Sequence, residues 1–390
     1  MISHSEALDI VLNTDFNTGL ELISIYDSYN RILSRDFFSD INMPPFDKSM
    51  VDGYACRKDD LSKKLIIDRI VAAGENQKLE IQPGHCVKIM TGAPVPAGTE
   101  VVVMVEDTEL EGDMLIISNQ NTSVNISPKG EDINIGDKVL SKGTLLKPFH
   151  SGILATLGYK DIEVYKKAKV GIIVTGDEIV EPGDPITEGQ IYNANAAQFI
   201  NYCNSLGLKP DYYGIAEDNY EKVSETISLM LDRNDVLIIT GGVSMGDYDY
   251  VAPAIKNSGL EVKFESIAAQ PGRPLVYATN DKKFCFGMPG NPVSGLVLFE
   301  TIVKPFLYKI MGHDFPPGMF PFRLGEKIAR KKAQRRSYYP VMLISTDTVI
   351  PIDYHGSAHL NSYSEAFGII ALDIGVFEKL AGEIVYVRQI

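Results

Sequence analysis

Residues 236–249, VLIITGGVSMGDYD, constrain the fold more than any other stretch of the chain. Four apolar, mostly β-branched residues suit a strand buried on both faces. They give way at once to Gly241 and Gly242, then to Ser244, Gly246, Asp247 and Asp249. Glycines at a strand's end let the backbone turn sharply and approach a ligand closely, and the carboxyl ends of strands are where open α/β sheets bind. Ser244 can donate to an oxyanion or phosphate, while Asp247 and Asp249 are hard oxygen ligands suited to Mg²⁺. A tight strand-to-helix turn with solvated carboxylates would leave the same pattern. A second stretch repeats the design: IIVTGDE at 172–178 matches IITGGVS at 238–244. Each delivers a Thr-Gly pair at the end of a strand, the first followed by Asp177 and Glu178, so both turns should line one edge of a sheet.

Strand and helix patterns alternate from 168 to about 312, which predicts a parallel sheet with helices on its faces. Strands are expected at 170–174, 212–216, 236–239, 260–267 and 284–288. Helices are expected at 194–206, with Gly207 closing it, and from DNYE at 218–221, which has capping-box spacing, to about 231. PGNPVS, 289–294, leads into a long apolar helix, and Asn291 ahead of Pro292 offers an amide beside that helix's N-terminus, where free N–H groups favour an anion. QPGRPL, 270–275, reads as a loop holding Arg273 between prolines.

Outside this region the chain reads as helical from Ser5, the cap, to about Leu33, on the spacing of Ala7, Leu8, Val11 and Leu12, and as short strands from 65 to 134. Between them NMPPFDKSMVDGYACR, 42–57, is too irregular for a regular element; its prolines and glycine suit a rigid, presented loop carrying Asp52. Thr91 sits in a proline-braced turn, and KGEDI, 129–133, carries Asp132. Residues 135–164 hold a strand-like piece and a helix pattern at 152–158, returning beside the N-terminal helix. Beyond 312, prolines at 316, 317 and 321 mark a boundary, and short strands predict a small barrel or sandwich. Arg330–Arg336 is a basic run, read as a solvated strand end or an anion contact.

Composition excludes several function classes. A net charge of -14 and a pI near 5.0 argue against nucleic-acid binding, which needs basic surface. No apolar run reaches membrane-spanning length and the N-terminus lacks a signal-peptide pattern, so a cytoplasmic protein is expected. Four scattered cysteines and six histidines indicate neither a zinc site nor a disulfide framework.

Taken together, PPFDKSMVDGYA, TGAPVPAGTEVVVMVED, KGEDI, TGDEI, GQIYNAN, GGVSMGDYD, QPGRP and GMPGNPVSG, in this order along the whole chain, resemble the molybdopterin molybdenumtransferase family, related to the E domain of gephyrin. The resemblance implies a multidomain α/β plus β fold: a discontinuous helical linker domain (1–40 and 135–166), an inserted β-rich domain (41–134), a doubly wound molybdopterin-binding α/β domain (167–313) and a C-terminal β-barrel (314–390). It implies a homodimer whose site forms where the sheet domain of one subunit faces the β-rich domain of the other. The implied reaction inserts molybdate into adenylylated molybdopterin, supplied by an upstream molybdopterin adenylyltransferase, with Mg²⁺-dependent hydrolysis releasing AMP. Carried over by position, the catalytic set is Asp52, Thr91, Glu178, Asp218 and Asp249. Substrate contacts fall on Asp132, Asp177, Gly241, Gly242, Ser244, Arg273, Pro289, Asn291, Pro292, Arg335 and Ser362, and the metal on Asp249 with Asp247 second. The chain departs from the family where three lysines are usual: Ser266, Gln270 and Arg273 stand there. Adenylyl transfer to molybdopterin and a non-enzymatic, gephyrin-like scaffold are the alternatives.

Overall fold

The computed structural model describes residues 1–74, 79–243, 250–316, 318–354 and 356–390. The chain divides into two units. One comprises Met1–Arg35, Gly143–Ser151 and Lys160–Ile390, the other Asp36–Lys142 and Gly152–Tyr159.

In the larger unit the β-branched runs assemble a six-stranded sheet. Its order is Asp211–Ala216, Val170–Thr175, Val236–Thr240, Phe284–Met288, Pro274–Thr279, Glu261–Ser266. Alternate residues of each strand point to opposite faces. Val170, Ile172, Val236, Ile238, Phe284 and Phe286 pack with Phe199 and Cys203 of the Ala194–Ser205 helix and with the apolar side of residues 292–310. Ile173, Leu237, Ile239 and Cys285 pack instead against Val223, Ile227 and Met230 of the Tyr220–Arg233 helix and Ile255 of the Val251–Asn257 helix. Two cores on two faces make this a helix–sheet–helix sandwich, and Val236–Thr240 is buried at every residue. The first four strands are parallel, as the alternation predicts, but the last two pair antiparallel, so the sheet is mixed. Pro274–Thr279 has no counterpart in the sequence reading and begins inside the 270–275 segment read as a loop: Pro274 opens the strand, where its missing N–H costs no ladder bond.

The long apolar helix runs as Pro292–Leu298, a π-helical turn Phe299–Val303, and Lys304–Ile310. The C-terminal residues close a five-stranded barrel: Arg336–Leu343, Thr348–Pro351, Met319–Leu324, Ile384–Gln389 and Gly368–Leu372, the last pairing back to the first. Leu324, Val341, Val349, Ile370, Leu372, Val385 and Val387 fill its interior. Ala269–Gln270 adds alongside Arg336–Ser337, so the QPGRP turn is sewn to the barrel.

At the N-terminus the helix spans His4–Leu12, ending well short of 33 because Leu20–Ser24 is drawn into a strand, and its cap is Ser3, not Ser5. The Ser3 hydroxyl accepts from Glu6 N at 3.1 Å while the Glu6 carboxylate accepts from Ser3 N, a reciprocal capping box. The segment 135–164 returns beside the start of the chain through a strand: Asp161–Tyr165 pairs with Leu20–Ser24. Its helix spans Pro148–Thr156 rather than 152–158.

His4 is buried, packed on the Tyr338 ring with Arg336 and Arg388 nearby. Burial, with the two guanidiniums, pushes its pKa down to about 3 from the ordinary 6.5. The unfolded chain therefore takes up this proton first, and stability is lost as pH falls below 6.5. The cost grows by about 1.4 kcal/mol per pH unit and reaches roughly 4–5 kcal/mol near pH 3. Urea titrations between pH 7.5 and 4.5 should show this loss in the wild type and a shallower one in His4→Gln; identical pH slopes would contradict it.

The smaller unit is a six-stranded mixed sheet ordered Val101–Met104, Gly53–Cys56, His85–Ile89, Leu65–Val71, Met114–Ile117, Thr108–Glu111. Four of these follow the strand pattern of the sequence. Gly53–Cys56 does not: it falls inside the segment read as an irregular loop, yet all four of its residues are buried and it pairs on both sides. Gly53 permits this, because a Cβ there would lie 2.1 Å from the Val103 carbonyl oxygen.

Candidate functional site

The first strand of the α/β sheet in sequence, Val170–Thr175, lies between the second, Asp211–Ala216, and the third, Val236–Thr240. Connections therefore leave in opposite directions at Thr175 and Thr240, and the carboxyl edge opens there into a crevice. Its volume is about 600 Å³, and its lining includes Thr175, Glu178, Asn195, Asp218, Thr240 and Asn291. Both Thr-Gly turns face it, with Val174 and Thr240 in register. Gly241 has φ +99°, and a Cβ there would lie 2.2 Å from the Thr175 carbonyl oxygen, so only glycine lets the two turns meet. The third wall is the Pro289–Pro292 turn. Asn195 joins the walls: its Nδ2 donates to Thr240 Oγ1 and to the Gly290 carbonyl, each at 2.8 Å, and Thr240 Oγ1 donates to the Pro289 carbonyl.

Two carboxylates, Glu178 and Asp218, line the crevice. The spacing of DNYE makes Asp218 a helix cap, but the cap is Asn219, whose side chain accepts from Glu221 N and Lys222 N. Asp218 is left at the crevice wall, its backbone N–H donating to Asp177 Oδ1 at 3.2 Å. Gly241, Gly242, Pro289 and Pro292 also contribute to the lining. The Asn291 amide, expected to face a ligand, donates instead to Ser357 Oγ at 2.8 Å. Ser244, Asp247 and Asp249 lie outside the described residues. Among the described residues no group of three or more His, Cys, Asp or Glu side chains could hold a metal ion.

Several sequence-derived candidates sit elsewhere. Arg273 is exposed, outside the crevice lining. Arg335 donates to Gln270 Oε1 at 3.3 Å in a separate basic pocket of about 270 Å³, with Lys331 and Lys332. Within the basic run Arg330 is structural, its guanidinium donating to the carbonyls of Arg335, Asp373 and Val376 and to Ser337 Oγ. Ser362 donates to the His359 carbonyl and lines a third cavity with Asp353 and Glu365.

In the smaller unit Asp52 and Thr91 come together. The Thr91 N–H and hydroxyl both donate to Asp52 Oδ1, at 2.7 and 2.8 Å, and hold that carboxyl below the usual carboxylate range. Asp132 is exposed, its N–H donating to the Met43 carbonyl. The sequence reading passed over Asn195. Its signal was the paired asparagines of GQIYNAN: Asn193 caps the helix through Ala196 N, and Asn195 is spared for the walls.

Fold and site together define a multidomain α/β binding protein whose ligand edge is a glycine-built crevice bearing carboxylates. Comparison with known proteins narrows the class. Residues 2–158 match the MoeA N-terminal region (domain I and II), and residues 171–309 match a family described as "Probable molybdopterin binding domain". A Haemophilus influenzae protein named molybdopterin molybdenumtransferase is 35% identical over 336 residues, 83% of this chain and 82% of that one. A Staphylococcus epidermidis protein of the same name is 32% identical over 98% of this chain and 94% of its own. The crystal structure of a molybdopterin biosynthesis MoeA protein from Pyrococcus horikosii superposes with a TM-score of 0.82 at 32% identity, covering 100% of this chain and 99% of that one. The chain belongs to the molybdopterin molybdenumtransferase family.

Proposed function

We propose that this chain is a transferase that joins molybdate to adenylylated molybdopterin and releases AMP. The observation that carries the reading is the crevice at the sheet's switch point, with two carboxylates on its wall, in a chain of this family. A pterin's flat ring system fits between the apolar and backbone surfaces of Ile179, Ile191 and Tyr192, and its pyrophosphate meets the glycine turns. There the backbone approaches closely, and N–H groups not committed within the fold can donate. Asn195 and Thr240 keep the walls fixed, so little reorganisation accompanies binding.

Carboxylates beside a pyrophosphate would repel it unless a cation accompanied the ligand. Their hard oxygens fit magnesium, with Asp249 the principal ligand and Asp247 the second. When bound, the ion neutralises charge developing on the phosphoanhydride oxygens. Glu178 and Asp218 orient water and ligand around it. Asp52, kept ionised by two Thr91 donors, accepts a hydrogen bond or a proton in the β-rich unit.

Molybdate is a tetrahedral dianion, and the basic pocket of Gln270, Lys331, Lys332 and Arg335 suits it. Where the family resemblance implies a lysine, Gln270 stands, and Arg335 reaches it from the barrel. Adding that ammonium through Gln270→Lys is expected to lower the molybdate concentration at half-maximal rate several-fold; an unchanged requirement would mean that the missing lysine is unimportant here. We read the chain as a four-domain homodimer fed by an upstream adenylyltransferase. Incubating the purified protein with adenylylated molybdopterin, Mg²⁺ and molybdate tests the function. AMP release that depends on molybdate supports it. Formation of the adenylylated pterin from ATP would make the chain an adenylyltransferase, and neither activity would leave a scaffold.

A further inference from the structure

Strands Gly53–Cys56 and His85–Ile89 pair antiparallel with Gly53 opposite Ile89, Tyr54 opposite Lys88 and Ala55 opposite Val87. The next pair in that register is Cys56 opposite Cys86. Both side chains lie on one face of the sheet, in the cluster with Tyr54, Leu65, Val101 and Leu115, whereas Ala55, Val87 and Ile89 occupy the cluster on the other face. The Cys56 carbonyl accepts from Glu100 N at 3.0 Å, so it is turned toward the Val101–Met104 strand and away from Cys86. Facing Cys86, it therefore occupies a non-hydrogen-bonded position, where opposed Cα atoms are about 4.5 Å apart and side chains are closest. That separation is within the range of about 4.4–6.8 Å that a disulfide spans. Both thiols are free and fully buried.

The same two strands carry the Asp52–Thr91 pair. Asp52 immediately precedes Gly53, and Thr91 follows Ile89 by two residues. We propose that Cys56 and Cys86 are a modification site, closed by a peroxide into a cross-strand disulfide that clamps the ribbon holding Asp52 against Thr91. One cysteine sulfur attacks the peroxide oxygen, giving a sulfenic acid and one water. The second sulfur displaces the hydroxyl, which leaves as a second water with the remaining thiol proton. Each sulfur loses one electron, and the peroxide takes both. Burial pushes both thiols up to about 12, so closure proceeds from transient openings of the ribbon and is slow. The resulting bond is shielded from reductant by the same burial.

The test uses the full chain and no assay of the reaction assigned above. The protein is incubated with hydrogen peroxide, denatured in iodoacetamide, digested and weighed. The expected product is a Cys56–Cys86 linked peptide about 2 Da lighter than its two reduced parts. Cys203 and Cys285 should be alkylated, and dithiothreitol should restore the reduced peptides. Amide exchange at Thr91 should be several-fold slower in the oxidised protein, and a Cys86→Ala variant should show neither change. Four alkylated cysteines after treatment, separate sulfinic acids at 56 and 86, a bond to another cysteine, or unchanged exchange at Thr91 would each overturn the proposal.

Discussion

Gly241→Ala is expected to cost the larger unit about 2–4 kcal/mol of stability and to abolish ligand binding. Two effects combine. At φ +99° an alanine is strained by itself, and its Cβ would need to occupy space 2.2 Å from the Thr175 carbonyl oxygen. That oxygen belongs to a buried parallel strand and cannot retreat without breaking the register between Val174 and Thr240. The two turns must separate, and the crevice loses its floor. Gly259→Ala is the control: its φ is +81°, but nothing lies within 4 Å of the added methyl. Urea unfolding should show a markedly larger loss at 241 than at 259. Equal losses would mean that the close approach of the turns is unimportant.

Asp249→Ala is expected to reduce Mg²⁺-dependent AMP release by roughly 10²–10³-fold, the scale of losing one group that stabilises developing charge. The folded state should be unaffected if the carboxylate serves the reaction and not the fold. Circular dichroism and urea midpoint should match the wild type while the rate collapses. A variant that keeps its rate would remove Asp249 from the reaction, and one that unfolds would assign it a structural role.

The parts of this molecule that a reader of the sequence can find are those whose cause is local. Val236–Thr240 and Val170–Thr175 announce themselves by β-branched runs ending in Thr-Gly, and the helices between them by apolar periodicity and caps. Gly53–Cys56 does not, because VDGYAC has no alternation to detect and its strand state is imposed by neighbours on both sides. The cap at Asn219 shows a different failure. Adjacent Asp218 and Asn219 both satisfy the local rule, and the choice between them is made by where the chain leaves the crevice. Closure of the barrel depends on pairing Arg336–Leu343 with Gly368–Leu372, a non-local fact, so the strand pattern alone left barrel and sandwich equal. Asn195 was missed for the same reason: its two acceptors are 45 and 95 residues away.

The switch-point crevice is expected to hold the adenylylated pterin. Amide hydrogen exchange with and without adenylylated molybdopterin measures it directly. Protection should concentrate at 175–179, 240–243 and 289–293 and be lost in Gly241→Ala. Protection that leaves those three turns untouched while appearing elsewhere in the chain would contradict it.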